Sequence, residues 1–190
     1  MNKLFISLIL ILNFNIVNAD IIPITDGSKD SKIQLIVFES LTCSHCASFH
    51  KNIYPKLKED FLDKGLALIE YKSFPLDMAA LNASKISHCK NDGNSEILHF
   101  LYDKQDQWVR GNTIEDLNEN LIKTLIDSGI NLDFKKCIQD KKIEDHILKD
   151  RIEGVKNYNI NGTPTLIING EKFENPLNYK KLKNYLEKLI

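Results

Sequence analysis

The chain has 190 residues, with 25 Lys and Arg against 26 Asp and Glu, a formal charge of −1 and 43% hydrophobic residues. That length allows one domain, or one domain carrying a large insertion. The near-neutral balance offers no basic stripe for a polyanion, so nucleic acid is excluded as a partner class.

Residues 1–19 read as an export signal. Lys3 is a short positive region, Leu4 to Leu12 is apolar, and Val17-Asn18-Ala19 presents small or modest residues where a signal peptidase would cut, which places cleavage after Ala19. The run is too short for a membrane anchor, and Asn13 and Asn15 interrupt it. Removing it takes only Lys3 and leaves a mature chain with 24 basic and 26 acidic residues. All four cysteines lie downstream, as suits an exported chain in an oxidising compartment.

After a polar lead-in, with a short edge strand expected at Ile21-Ile22, residues 33–38 form a compact apolar run of strand length. From Ser44 to about Asp60 the apolar positions Phe49, Ile53 and Leu57 recur every four residues, and Pro55 should bend that helix without abolishing it. Gly65 releases the chain into a second strand, residues 66–71, giving a β-α-β unit with parallel pairing. The spacing then predicts helices at 77–90, at 95–108, from Thr113 to Gly129 with Asp116 in a capping-box position, at 132–139 and at 141–155. Gly162-Thr163-Pro164-Thr165 opens a late strand, Asn169-Gly170 turns it into a hairpin, and a terminal helix carries Tyr179, Leu182, Leu186 and Leu189 on one face.

The chemistry is concentrated at Cys43-Ser44-His45-Cys46, between the first strand and the first helix. Unpaired N–H groups and the positive end of the helix dipole favour a thiolate at Cys43, and Cys46, one turn on, can close a disulfide with it. Zinc would need a second ligand pair, which Cys89 and Cys137 do not supply by spacing. A c-type haem would need His after Cys46, where Ala47 stands. His50, His88, His99 and His146 show no metal-like spacing and are expected at the surface or in helix packing; no metal or cofactor is expected.

In order, the Cys43-Ser44-His45-Cys46 tetrad, Phe74-Pro75-Leu76-Asp77, the run of helices and Gly162-Thr163-Pro164-Thr165 resemble the DsbA-like thiol:disulfide oxidoreductases of the thioredoxin superfamily. The resemblance implies an α/β, thioredoxin-like fold from residues 20–75 and 156–190, with an all-helical module, 76–155, inserted. It implies a monomeric periplasmic oxidase that introduces disulfides into reduced, unfolded exported proteins and is itself reoxidised by a DsbB-like membrane oxidase. Cys43 would be the nucleophile and Cys46 the resolving thiol, with His45 stabilising the thiolate. The Thr163-Pro164 bond would be cis, with Pro164 against the disulfide and the backbone of Thr163 free to pair with substrate. Ser44, in place of the usual proline, would tune the potential. Cys89 and Cys137 would form a second, non-catalytic disulfide, the alternative being two separate buried thiols. The superfamily's buried acid six residues before the first cysteine is Val37 here, and Glu39, nearer the turn, is expected to meet solvent and is given no role. A disulfide isomerase or reductase, and a Cu(I) or zinc carrier using the same cysteines, are the competing functions.

Overall fold

The structure, a computed structural model, describes residues 20–190. The expected signal segment and its cleavage point lie outside the described residues.

Five strands form one sheet in the order β1-β3-β2-β4-β5. At its centre β2 (Ile33–Glu39) runs parallel to β3 (Ala67–Ser73), in register from Ile33 opposite Ala67 to Glu39 opposite Ser73. The connection between them is helical: α1 (Ser44–Asn52), a single turn α2 (Tyr54–Leu57), and a wider π-type turn over Lys58–Leu62. The break falls beside Pro55, which has no N–H to give to the preceding turn, and the two segments are offset at Ile53. The apolar period therefore continues through an interrupted helix, as far as Leu62 instead of Asp60.

The edge strand differs from expectation. Ile21-Ile22 is not paired in the sheet; β1 is Ile24–Gly27, antiparallel to β3, with Thr25 donating its N–H to Gly93 O at 3.2 Å. Pro23 cannot donate to a ladder, so pairing starts after it. On the other side β4 (Thr165–Ile168) lies antiparallel to β2, and β5 (Glu171–Phe173) closes the hairpin through Asn169-Gly170, both at positive φ.

Between β3 and β4 the chain is helical: α3 (Met78–Ser87), α4 (Glu96–Asp103), α5 (Gln105–Trp108), α6 (Ile114–Asp127), α7 (Phe134–Gln139) and α8 (Lys141–Tyr158). Their starts are set by side chains that satisfy the first free N–H groups: Asp77 for α3, Asp133 for α7, Asp140 for α8, and a reciprocal capping box between Thr113 and Asp116 for α6. The terminal helix α9 (Tyr179–Leu186) buries Leu182 and Leu186.

The alternation of β2 divides the interior. Leu35 and Val37 join Cys46, Phe49, Leu101, Tyr102 and Trp108 in the larger core, while Phe38 faces Phe74, Ile160 and Ile167 on the opposite side. There α8 approaches closely, because Gly154 presents no side chain: a Cβ at that position would stand 2.9 Å from the Phe38 ring. Both faces of the central strand are thus sealed, so the C-terminal end of β2 enters a covered space. This placement determines the setting of the dithiol.

Candidate active site

Cys43 is the N-cap of α1, with extended backbone and no side-chain capping bond, at the turn held by its own N–H to Ser40 O (2.9 Å). Gln105, from the helical module, donates its amide Nε2 to the carbonyls of Leu41 (2.7 Å) and Cys43 (3.1 Å), and the Thr42 hydroxyl donates to Asp77 Oδ2 at 2.6 Å. The turn is therefore fastened from both sides by residues far away in sequence, which the motif alone does not announce.

The two sulfurs, both free, differ sharply in environment. Cys43 is half-buried, and its thiol is drawn down from 9.0 to about 5: the Cys46 thiol donates to it, and, against the cost of partial burial, the backbone N–H groups of Cys46 and His45 favour the thiolate. Cys46 is fully buried, and burial first, then its bond to Cys43 and the proximity of Glu39, push its thiol far up. The helix start thus gives one ready thiolate and one thiol that holds its proton.

Ser44 and His45 are exposed; what reaches Cys43 from His45 is its backbone N–H. The Thr163-Pro164 peptide is cis, and Cys43 Sγ lies 3.4 Å from Thr163 O, so the two expected halves of the site meet although 120 residues separate them. The Thr163 hydroxyl is buried without a hydrogen-bond partner. Cys89, just beyond α3, and Cys137 of α7 are joined in a disulfide with Cα atoms 5.3 Å apart, across 48 residues of chain.

Glu39 does not meet solvent, contrary to expectation. It is only 2% exposed, and its Oε2 lies 2.7 Å from Nε2 of His50. Alternation does put it on the Val37 face, but α1 and α4 cover the strand end, and its backbone O is tied to Phe74 N (2.7 Å) where the next loop crosses. Burial pushes its carboxyl well above the usual range. His50 and His99 take the helix-packing setting expected of them, where α1 meets α4. Their Nδ1 atoms are 2.9 Å apart, and His99 Nε2 lies 3.0 Å from Asp26 Oδ2. Burial holds His50 at about 3, hence neutral. The Asp26 carboxylate also accepts from Tyr71 (2.8 Å), Tyr54 (3.0 Å) and Ser95 (2.7 Å), and despite the cost of burial the His99, Ser95 and Tyr71 bonds keep it well below the usual range. His88 and His146 pack edge to face at 5.1 Å between centroids, as helix packing predicts. One signal for the cluster was legible: His50 follows Cys46 by four residues and so shares its buried helix face.

A thioredoxin family model matches residues 21–188. A "Putative protein-disulfide oxidoreductase" of Rickettsia bellii is 32% identical over 152 residues, covering 78% of this chain and 58% of that protein, so the chain spans less than two thirds of that relative's length. Disulfide bond formation protein D of Bacillus subtilis is 24% identical over 171 residues, covering 85% of this chain and 74% of that one. Among solved structures, alpha-DsbA1 of Wolbachia pipientis superposes with a TM-score of 0.78 at 31% identity, over 88% of this chain and 90% of that one. With its sheet order, its helices between β3 and β4 and its dithiol at the head of α1, the chain belongs to the thioredoxin family, among its DsbA-like members.

Proposed function

We propose that the chain is a thiol:disulfide oxidoreductase that works as a dithiol oxidase on reduced exported proteins in the periplasm. The observation that carries this reading is the asymmetry of the pair: a half-exposed Cys43 whose thiol is drawn down to about 5 beside a fully buried Cys46. A disulfide whose outer sulfur is released as a stable thiolate is easily broken, since a thiol of low pKa is a good leaving group and its reduced form is favoured.

In the oxidised protein a substrate thiolate attacks Cys43 Sγ. The Cys43–Cys46 bond breaks, Cys46 Sγ leaves with the bonding pair and takes a proton, and substrate is held as a mixed disulfide on Cys43. A second substrate thiolate attacks the substrate sulfur, and Cys43 leaves as the thiolate that its surroundings stabilise. Two electrons pass from substrate to protein, and a DsbB-like membrane oxidase removes them. Ser44, adjoining Cys43 in the α1 start, tunes that thiolate. Thr163 and Pro164 border the sulfur, with the Thr163 backbone as the pairing edge for an extended substrate. The helical segment 76–155 acts as one inserted module, and the Cys89–Cys137 disulfide serves as its brace.

The test is oxidative refolding of a reduced, disulfide-containing protein, with an equilibrium titration of the Cys43–Cys46 pair against glutathione. Stoichiometric oxidation of substrate and a potential well above that of reducing thioredoxins support the oxidase reading. A strongly reducing potential selects a reductase, and tight stoichiometric Cu(I) binding without thiol oxidation selects a metal carrier.

A further inference from the structure

The Cys46 thiol is fully buried, yet in the reaction above it must gain a proton each time the disulfide opens and lose one each time it closes. The polar groups around it form one connected row. The Tyr102 hydroxyl and Oε1 of Glu39 are both buried and both without a hydrogen-bond partner, and Cys46 shares the core of Tyr102 and lies one helical turn before His50 on the same face of α1. Cys46, Tyr102 and Glu39 are close enough to perturb one another's ionisation. From Glu39 the row continues through Oε2 to Nε2 of His50 at 2.7 Å, from Nδ1 of His50 to Nδ1 of His99 at 2.9 Å, and from Nε2 of His99 to Asp26 at 3.0 Å. The His50 ring is fixed by stacking on Tyr102, and that of His99 by stacking on Tyr54, each with centroids 4.0 Å apart. His50 is 4% exposed at its side chain and His99 is 22% exposed. Both line an open cavity of about 710 Å³ whose rim carries Lys51, Asp103 and Asp106. The row therefore runs from the buried sulfur to water.

We propose that Glu39, His50 and His99 form a proton relay connecting the Cys46 thiol to solvent at His99, and that this relay sets the rate at which Cys46 attacks or leaves. The inference rests on the dithiol-exchange reading. Donor directions follow from what each group can do. A protonated Glu39 donates to Nε2 of His50, Nδ1–H of His50 donates to Nδ1 of His99, and Nε2–H of His99 donates to the Asp26 carboxylate, which only accepts. When the disulfide closes, the protonated Glu39 hands its proton to Nε2 of His50 while Nδ1–H of His50 moves to Nδ1 of His99, and the Glu39 carboxylate left behind takes the Cys46 S–H proton, directly or through the Tyr102 hydroxyl, which gives one proton as it receives one. The imidazolium so formed is held by Asp26 until it releases a proton to solvent. One proton leaves the protein, and the Cys46 thiolate attacks the mixed disulfide and expels the partner sulfur. Disulfide opening runs the row in reverse.

The test uses the full chain and glutathione, with acid quenching to separate two steps: attack of Cys43 on oxidised glutathione, and the intramolecular attack of Cys46 on the resulting mixed disulfide. In His99→Ala the first step should keep its parent rate and the second should slow about tenfold or more. Added imidazole, admitted by the open cavity, should restore the second step, and substituted imidazoles of different pKa should restore it in graded order. Glu39→Gln should slow the same step without rescue. His50→Asn is buried and its folding is checked first; His99→Ala at the rim decides the question by itself. An intramolecular step in His99→Ala within twofold of the parent, or a slowed step that no imidazole restores, overturns the relay. A parent that forms no mixed disulfide at Cys43 overturns the exchange reading instead, and the relay with it.

Discussion

The chain holds two cysteine pairs that the same compartment would expose to the same oxidants, and their surroundings give them opposite characters. Cys43 and Cys46 sit at a helix start, one half-exposed and drawn down to about 5, the other buried and pushed up. Cys89 and Cys137 join the end of α3 to α7, with Cys137 only 1% exposed, and close a loop of 48 residues. Reactivity in the first pair comes from unequal solvation of two neighbouring sulfurs. In the second, the bond acts on the unfolded chain by shortening it. What separates a working disulfide from a bracing one is therefore access and charge around each sulfur.

The comparison breaks first at Cys43. Cys43→Ser should abolish glutathione exchange, and Cys46→Ser should trap mixed disulfides with protein substrates, as seen on non-reducing gels; trapping that instead required Cys43→Ser would reverse the two roles.

Next in size is the brace. Replacing Cys89 and Cys137 together by Ser should lower stability by about 2–4 kcal/mol, read as a fall in Tm of about 5–10 °C. The exchange rate should stay within about twofold, because neither sulfur touches the Cys43 thiolate; a larger change would mean that the brace itself is needed to hold Gln105 against the dithiol turn.

A smaller effect is the stability difference between reduced and oxidised protein. Cys43 titrates at about 5 when folded against an ordinary 9.0, so its folded pKa is depressed. Such a group stabilises the reduced form fully above about pH 9, progressively less as pH falls, and not at all below about 5. At pH 7, after discounting for the solvent that reaches this half-exposed residue, that is on the order of 1 kcal/mol. Thermal melts of both forms across this range check the sign: a reduced-state advantage that grew towards acid pH would contradict it.

The smallest effect concerns Gln105. Gln105→Ala removes two bonds to the carbonyls of Leu41 and Cys43 and should cost about 1 kcal/mol of stability by urea unfolding.

The sequence announces features that are local. The tetrad with its flanking strand and helix, the capping box of Thr113 and Asp116, and the Asn169-Gly170 hairpin each depend on residues within a few positions of one another. The buried polar row does not, since Asp26, Glu39, His50 and His99 come from β1, β2, α1 and α4 and are assembled only by packing. Glu39 departs from expectation for a physical reason: the end of a strand is open in isolation, whereas here two helices and the Phe74 loop close over it. Pro23 likewise moved the start of the edge strand by three residues, because its missing N–H delays pairing. Gln105 had no sequence signal at all, as a glutamine in a helix reads as ordinary surface, whereas here it is half-buried against the dithiol turn.

The central claim is that Cys43 is a stable thiolate in the folded, reduced protein. Titrating the ultraviolet absorbance of the thiolate in the reduced full chain, with Cys43→Ser as the blank, measures this directly. A midpoint near pH 5, absent from the blank, is the predicted result; a midpoint close to the ordinary thiol value of 9.0 would contradict the account.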